Sequence, residues 1–214
     1  MFKPEHPHFV TGSFTPQNVF LGDKEYGLAL DCLVKACTDL LLLDSDQPDC
    51  KVLLGKRIVE PQPDWWFVGG RMKPGERPEQ SIARLVKREL HLLVEPSRFK
   101  PLGTHSYAWA RRQQAPMDNG TCDISVVLTL VLLSGEAERI HMDEKEYAEF
   151  RWFSISEIIT GESFHPALRA SARDIRQRQA WQKLVGEVRN GGSSESIAET
   201  AKQLVSLSAV PSEV

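Results

Sequence analysis

Residues 65–92 have the sequence WWFVGGRMKPGERPEQSIARLVKRELHL, and the rest of the chain is predicted to be arranged around them. The aromatic run predicts a strand that ends at Gly69 and Gly70, and a loop containing Pro74 and Gly75 leads into a charged helix. Because glycine has no side chain, a ligand can approach the backbone closely at the strand end. A strand, a glycine loop and a charged helix in this order indicate a phosphate and metal site.

The helix after the loop is predicted from its first turn onward. Pro78 suits the first helical position, where its missing N–H would be unpaired anyway, and Glu79 suits the positive end of the helix dipole. Pro96 prevents continuation of the helix. Apolar residues recur at helical spacing and predict a buried stripe made of Ile82, Leu85, Val86 and Leu90.

Apolar runs elsewhere predict the strands of one mixed sheet, at residues 28–36, 51–58, 65–68, 103–110, 124–133 and 149–153. A short helix is predicted to begin at Ser154, with Glu157 three residues later completing a capping box. A longer helical pattern covers residues 166–189. A central helix between strands, with further helices toward the C-terminal end, predicts an α+β layered domain.

The chain is predicted to have three segments. Residues 1–26 carry scattered prolines and glycines and predict an irregular arm, which could pack on a partner subunit in a homodimer. Residues 27–190 form the main domain. Residues 191–214 begin with a linker composition, GGSS, and the last residues either add a weak amphipathic helix or are disordered.

Composition limits the class of protein. A net charge of −3 with 41% apolar residues predicts a globular domain and argues against sequence-independent nucleic-acid binding, which requires a basic surface. No run approaches the roughly 18 consecutive apolar residues of a membrane span. The start of the chain lacks the features of a secretion signal and the cysteines form no CxxC pair, so we expect a cytoplasmic protein. Cys32, Cys37 and Cys122 lie in apolar runs and are expected to be buried thiols, with a disulfide or zinc role as the alternative.

The spacing within residues 70–92 resembles the signature of the Nudix hydrolase family, G-x5-E-x7-R-E-U-x-E-E-x-G-U, in which U is a bulky apolar residue. The positions in register are Gly70, Glu76, Arg84, Val86, Glu89 and Leu92. The resemblance implies an α/β (α+β) fold, a Nudix-like α/β/α sandwich with a mixed β-sheet. That fold agrees with the elements predicted above.

Three positions depart from the signature. Leu85 and Arg88 replace its first two catalytic glutamates, and His91 replaces its glycine. Positions 85, 88 and 89 share one helix face, so the charges of that face cancel instead of forming a cluster of three carboxylates. Such a face could hold one divalent ion with help from backbone carbonyls and substrate phosphates. It could not easily activate water through several metals.

One branch of the family, the GDP-mannose mannosyl hydrolases, is similar in this region because it also has R-L in place of R-E and keeps only the later glutamate. Further matches lie at 28–31 (LALD), 53–57 (LLGKR), 66–71 (WFVGGR), 150–152 (FRW) and His165. The resemblance covers residues 27–172. It implies a small-molecule nucleotide-sugar substrate and cleavage at the sugar C1 carbon rather than at phosphorus. The composition, as described above, predicts no nucleic-acid or membrane partner.

The resemblance implies a role for each matching residue. The Gly69 carbonyl and Glu89 would bind one Mg²⁺ that bridges the diphosphate. The catalytic arginines Arg57, Arg71 and Arg84 would neutralise the leaving nucleoside diphosphate, with Asp31 near the sugar. Substitution at C1 passes through an oxocarbenium-like state, which makes stabilisation of the leaving group the main demand.

A further departure concerns the general base. The branch has a Gln-His pair ahead of its Y-R-W, and alignment on residues 150–152 places Glu146 and Tyr147 there. Glu146 could replace the Gln as a metal ligand, whereas Tyr147, with a usual pKa near ~10, is a poor base and is assigned to substrate binding. His141 or Glu146 itself could take the role of base. His105 lies in the strand that carries a substrate-contacting His in the branch.

Several of these residues have structural alternatives. Arg84 could pair with Glu76 as a clamp on the loop, His105 could be a structural histidine, and Trp109 could stack on a base or only pack on the surface. Three functions stay open: a Mg²⁺-dependent hydrolase of GDP-sugars, a degenerate domain that binds a nucleotide diphosphate without turnover, and a pyrophosphohydrolase with rerouted metal ligands such as Glu146.

Overall fold

The computed structural model describes residues 6–17 and 19–208. The strands are β1 (Lys35–Leu43), β2 (Lys51–Arg57), β3 (Trp65–Trp66), β4 (Val68–Arg71), β5 (Lys100–Trp109), β6 (Thr121–Val131) and β7 (Tyr147–Ser154). The helices are α1 (Asp23–Cys32), α2 (Pro78–Leu90), α3 (Ile155–Thr160), α4 (Pro166–Arg189) and α5 (Ser194–Ser208).

The strands form one mixed sheet around β1. The order of its main path is β3-β2-β1-β6-β5, with β4 also paired to β1 and β7 also paired to β2. β1 runs parallel to β6, whereas its pairings with β2 and β4 are antiparallel. Every residue of β1 from Cys37 to Leu43 is buried, as expected for a strand that is covered on both faces.

Two apolar cores lie on opposite faces of this sheet. Leu40 and Leu42 pack with the apolar stripe of α2, while Leu41 and Leu43 pack with apolar residues of α3 and α4. Full burial of one leucine side chain contributes about 1.5–3 kcal/mol, so the period-two alternation along β1 holds both helical layers in place. The predicted α/β/α sandwich with a mixed sheet is therefore confirmed.

Several local predictions are confirmed as well. α2 has Pro at its start and buries Ile82, Leu85, Val86 and Leu90. Ser154 and Glu157 form the capping box of α3. Of the two alternatives for the tail, the structure shows a helix as far as Ser208, and residues 209–214 lie outside the described part of the chain. In the described ranges, no helix is long and apolar enough to cross a membrane.

The strand predicted at residues 28–36 is wrong. Residues 23–32 form α1, which has Asp23 and Glu25 in its first turn and buries only Gly27 and Leu30. A short run of apolar residues fits a surface helix as well as a strand, and the central strand starts later, at Lys35.

Two of the three cysteine predictions are wrong. Cys32 ends α1 and is exposed, and Cys122 lies on an uncovered face at the start of β6 and is also exposed. Cys37 is buried, as predicted, and all four cysteines are free thiols.

Candidate active site

A polar cavity of about 320 Å³ opens where β4 meets β1 and the last turn of α2. We call it the pocket. Its lining includes four cations, four carboxylates and four aromatic rings, namely Lys35, Arg57, Arg71, Arg88, Asp39, Glu60, Asp123, Glu146, Tyr26, Trp66, Tyr107 and Trp109. Gly69 and Gly70 also line it, as the glycine-terminated strand predicted. Converging arginines in a concave site suit a phosphorylated ligand.

The pairing of β1 with β4 creates the inner wall of the pocket. Asp39 lies opposite Gly69 and Cys37 lies opposite Arg71. A Cβ atom at Gly69 would come within 2.3 Å of the Thr38 carbonyl oxygen and 2.6 Å of Asp39 Oδ1. Only glycine therefore lets the Asp39 carboxylate approach the backbone of β4 this closely.

Asp39 is the functional candidate that the sequence reasoning missed. Its side chain points to the same sheet face as Leu41, and the residue is 6% exposed. Burial raises the pKa of Asp39 to about 6, Asp123 adds to the rise, and Ser125, Arg57 and Tyr107 oppose it. A carboxylate with a pKa of about 6 in a pocket that also contains arginines is a candidate acid or base. The available signal was an acid inside the apolar run TDLLLL ahead of LLGKR.

Glu89 lies behind the pocket and is wholly buried. The Tyr147 hydroxyl donates a hydrogen bond to its Oε2 at 2.6 Å, and Arg88 Nη2 donates to its Oε1 at 2.5 Å. Burial raises the pKa of Glu89, although both of these donors oppose the rise. Arg88 Nη2 also lies 3.7 Å from Glu146 Oε1, so one guanidinium stands between the two carboxylates.

The predicted Mg²⁺ ligands do not fit a divalent cation in this arrangement. Both oxygens of Glu89 already accept hydrogen bonds, and Arg88 occupies the side of Glu89 that faces Glu146. Within residues 6–17 and 19–208, no group of three or more His, Cys, Asp and Glu side chains could hold a metal ion. Gly69 and Glu146 do reach the pocket lining, but Glu89 does not.

Arg84 does not line the pocket and instead makes a structural contact with the loop before α2. Its Nε lies 2.5 Å from Glu76 Oε1, and one Nη2 atom donates to Glu76 Oε2 at 2.8 Å and to the carbonyl of Arg71 at 3.1 Å. We call this group the clamp. It holds the loop between β4 and α2, so of the two alternatives for Arg84 the structure supports the clamp.

The remaining predicted residues divide between the pocket and its surroundings. Arg57 and Arg71 line the pocket, and Arg71 stacks over the ring of Tyr26 at 5.0 Å. His105 Nδ1 lies 3.1 Å from the Tyr107 hydroxyl, and burial lowers the pKa of His105. Tyr147 is buried against Glu89, and burial raises its pKa well above the usual value, so it cannot act as a base at neutral pH.

Asp31 does not line the pocket, because the helical conformation of residues 23–32 directs its side chain to the segment between β5 and β6. Arg112 Nη1 donates to Asp31 Oδ1 at 2.6 Å, and Asn119 Nδ2 donates to the same oxygen at 3.1 Å. The Arg112 and Asn119 hydrogen bonds hold the pKa of Asp31 below its usual value. Arg112 is buried and ties α1 to the loop after β5, which brings Tyr26 and Gln113 to the pocket rim.

An aromatic wall closes one side of the pocket. Tyr107 and Trp109 stack with ring centroids 5.1 Å apart, and Trp66 meets Trp109 edge-on at 5.5 Å. Trp109 Nε1 donates to Asp123 Oδ2 at 2.9 Å, which fixes the indole at the cavity. His165 packs edge-on against Trp66 at 4.9 Å. Trp109 therefore lines the pocket, where a flat ring can support a sugar or a base.

Comparisons with known proteins identify a matching family and similar solved structures. A family model described as the NUDIX domain matches residues 35–178. A MutT protein from Methanosarcina mazei Go1 is 16% identical, with 68% of this chain and 94% of that chain covered and a TM-score of 0.50. The NUDIX domain of Shewanella oneidensis NrtR, solved with ADP ribose, is 18% identical over 72% of this chain and 98% of that chain, with a TM-score of 0.47.

A third solved structure is longer than the matching region. The MutT/nudix family protein from Enterococcus faecalis is 21% identical, with a TM-score of 0.43, and the match covers 57% of this chain and 44% of that chain. At these identities the likeness concerns the fold alone.

Proposed function

This chain belongs to the Nudix family, and from that premise we propose that it hydrolyses a nucleoside diphosphate sugar by substitution at the sugar C1 carbon. One observation carries the proposal. Arg57 and Arg71 share a pocket with Asp39, a buried carboxylate whose pKa is raised to about 6. Cations for a leaving diphosphate and a group that can accept a proton near neutral pH are what this reaction requires.

Arg57 and Arg71 are assigned to the leaving group. The Arg57 side chain comes from the last residue of β2 and the Arg71 side chain from the last residue of β4, so rigid strands hold both. Each guanidinium offers a planar fork that matches a phosphate group. The negative charge that develops on the diphosphate as the C1–O bond breaks is stabilised by these cations in the partly desolvated pocket.

Asp39 is assigned to the attacking water. Above about pH 6 its carboxylate is ionised and accepts a proton from the water while the water oxygen bonds to C1. The bond from C1 to the diphosphate oxygen breaks at the same carbon, and the nucleoside diphosphate leaves as an anion. No proton donor is needed, because a diphosphate is a good leaving group.

GDP-mannose is the proposed substrate within this class. The R-L pair at 84–85, the LLGKR run at 53–57 and the single later glutamate support the GDP-mannose branch over the pyrophosphohydrolases. The side chains at positions 85 and 88 are apolar and cationic, so they do not supply the carboxylate cluster for attack at phosphorus. The aromatic wall formed by Trp66, Tyr107 and Trp109 would support the sugar or the base.

Binding without turnover is the second candidate, and one observation favours it. Glu89, the glutamate retained from the signature, is buried and bonded to Arg88 and Tyr147, so it is withdrawn from the pocket. A domain of this kind would keep the diphosphate cations and would bind a nucleotide for regulation.

Product analysis separates these functions. GDP-mannose, GDP-glucose and ADP-ribose are incubated with the full chain, with and without Mg²⁺, and the products are separated by ion-exchange chromatography. We expect free mannose and GDP. Mononucleotides would identify a pyrophosphohydrolase, and saturable binding with no products would identify the binding domain. Asp39→Asn should lower kcat by about 10²- to 10⁴-fold. The matched control is Asp49→Asn, at an exposed acid in the loop after β1.

A further inference from the structure

In the sequence, Arg88 replaces a glutamate of the family signature. In the structure, its guanidinium has specific partners in the pocket. Its guanidinium lies 2.5 Å from Glu89 Oε1 and 3.7 Å from Glu146 Oε1, and its side chain is 52% exposed. It lines the pocket together with Arg57 and Arg71. One cation thus joins two carboxylates on the wall where the diphosphate is proposed to bind.

The location of this guanidinium is the corner between β4 and α2. A Cβ atom at Gly70 would lie 3.9 Å from Arg88 Nη2, so the group lies against the glycine end of the strand. A cation flanked by two carboxylates and backed by a glycine backbone has the surroundings of a bound divalent ion. Here the cation is a covalent part of the chain.

The surroundings of Arg88 keep it in this place. Glu89 is wholly buried, and its second oxygen accepts a hydrogen bond from the Tyr147 hydroxyl at 2.6 Å. A metal ion that reached Glu89 would have to displace Arg88 and leave a guanidinium in the same corner, where the two cations would repel each other. Leu85, on the same helix face, is buried and supplies no ligand atom.

We propose that the Arg88 guanidinium takes the place of a divalent cation and binds the diphosphate of the ligand directly, so that nucleotide binding needs no metal. The ligand class rests on the proposed function. A guanidinium has five N–H donors, so the group can serve Glu89 with one edge and a phosphate with another. Glu89 and Tyr147 are positioning residues, because they act on the ligand through Arg88.

Calorimetric titration with GDP tests the binding half of the proposal. The full chain is titrated in Mg²⁺ and in EDTA, and the two dissociation constants should agree within about twofold. Arg88→Gln should weaken binding about 10- to 100-fold, the range for a charge-assisted hydrogen bond. Lys87→Gln removes the same charge at an exposed neighbouring position and should have no such effect. Binding that requires Mg²⁺, or equal effects of the two variants, would overturn the proposal.

Thermal unfolding in the presence of Mn²⁺, without nucleotide, tests whether Arg88 takes the place of a divalent cation. The wild-type chain should show no rise in Tm with Mn²⁺, whereas Arg88→Glu, which places a second carboxylate beside Glu89, should show a rise. A rise in the wild type, or no rise in either chain, contradicts the replacement of a metal by Arg88. If GDP fails to bind under every condition while the Mn²⁺ results hold, the proposed ligand class and the binding of the diphosphate by Arg88 are overturned, and only the replacement of a metal by Arg88 stands.

Discussion

Two arginines one turn apart on α2 have different partners. In the middle of the helix, both oxygens of Glu76 and the carbonyl of Arg71 accept hydrogen bonds from Arg84, which forms the clamp on the preceding loop. At the end, Arg88 shares its guanidinium between Glu89 and Glu146 and remains half exposed in the pocket. The clamp is made of signature positions that the chain retains, and the pocket end is where the chain departs. We infer that the retained positions hold the fold and that the changed positions altered the chemistry.

Asp39→Asn should give the largest effect on the pocket side. Loss of a general base lowers kcat by about 10²- to 10⁴-fold. The same change should stabilise the fold, because the folded-state pKa of Asp39, about 6, lies above its usual 3.8, so the ionised carboxylate destabilises the folded chain. We expect a gain of about 1–3 kcal/mol near pH 8 that disappears below about pH 4, measured by urea unfolding. A less stable variant near pH 8 would contradict the buried ionised state of Asp39.

The pH dependence of kcat should report the ionisation of Asp39. Because Asp39 must be ionised to accept a proton, kcat should fall about tenfold per pH unit below the folded-state pKa of about 6 and level off above it. Steady-state assays across this pH range measure the fall of kcat at acidic pH. Asp39→Asn should retain only a low rate, and that rate should not fall further at acidic pH. A fall that persists in the variant would show that another group causes it.

Arg84→Gln and Arg88→Gln should separate the clamp from the pocket. Arg84→Gln removes the clamp and should lower the free energy of unfolding by about 1–3 kcal/mol, while GDP binding by the folded fraction changes less than about twofold. Arg88→Gln should instead weaken GDP binding more than it lowers the free energy of unfolding. Urea unfolding and calorimetry on both variants give the two quantities. If the two variants lose GDP binding and unfolding free energy to the same extent, Arg84 and Arg88 do not differ in role.

Tyr147→Phe should have the smallest effect. The hydroxyl donates to Glu89 at 2.6 Å, and its removal leaves one buried carboxylate oxygen without that donor. GDP binding should weaken about two- to tenfold through the loosened hold on Arg88. The control is Lys87→Gln, at an exposed position of α2 outside the pocket lining, which should leave GDP binding unchanged. An effect as large as that of Arg88→Gln would require Tyr147 to contact the ligand itself.

Local patterns were sufficient where neighbouring residues decide the structure. Pro78 and the apolar stripe of α2 predicted that helix, and Ser154 with Glu157 predicted the cap of α3. The strand at residues 28–36 failed because its apolar pattern is equally compatible with a surface helix, and pairing with distant β6 decides where β1 begins.

The site was predictable only in part for a related reason. The resemblance to the GDP-mannose branch implied roles for Gly69, Arg57 and Arg71, and all three line the pocket. Asp39 becomes a site residue through the pairing of β1 with β4, which no local pattern records. Arg88 was visible only as a missing glutamate, because its contact with Glu146 joins residues far apart in the chain.

The position of cleavage tests the central claim most directly. GDP-mannose is hydrolysed by the wild-type chain in ¹⁸O-labelled water, and mass spectrometry locates the label. Attack at C1 by a water activated in the pocket predicts the label in mannose and unlabelled GDP. Label in a phosphate product would contradict the account, because it would mean that water attacks phosphorus. The end of α2 lacks the carboxylate cluster for that reaction and has the Arg88 guanidinium in its place.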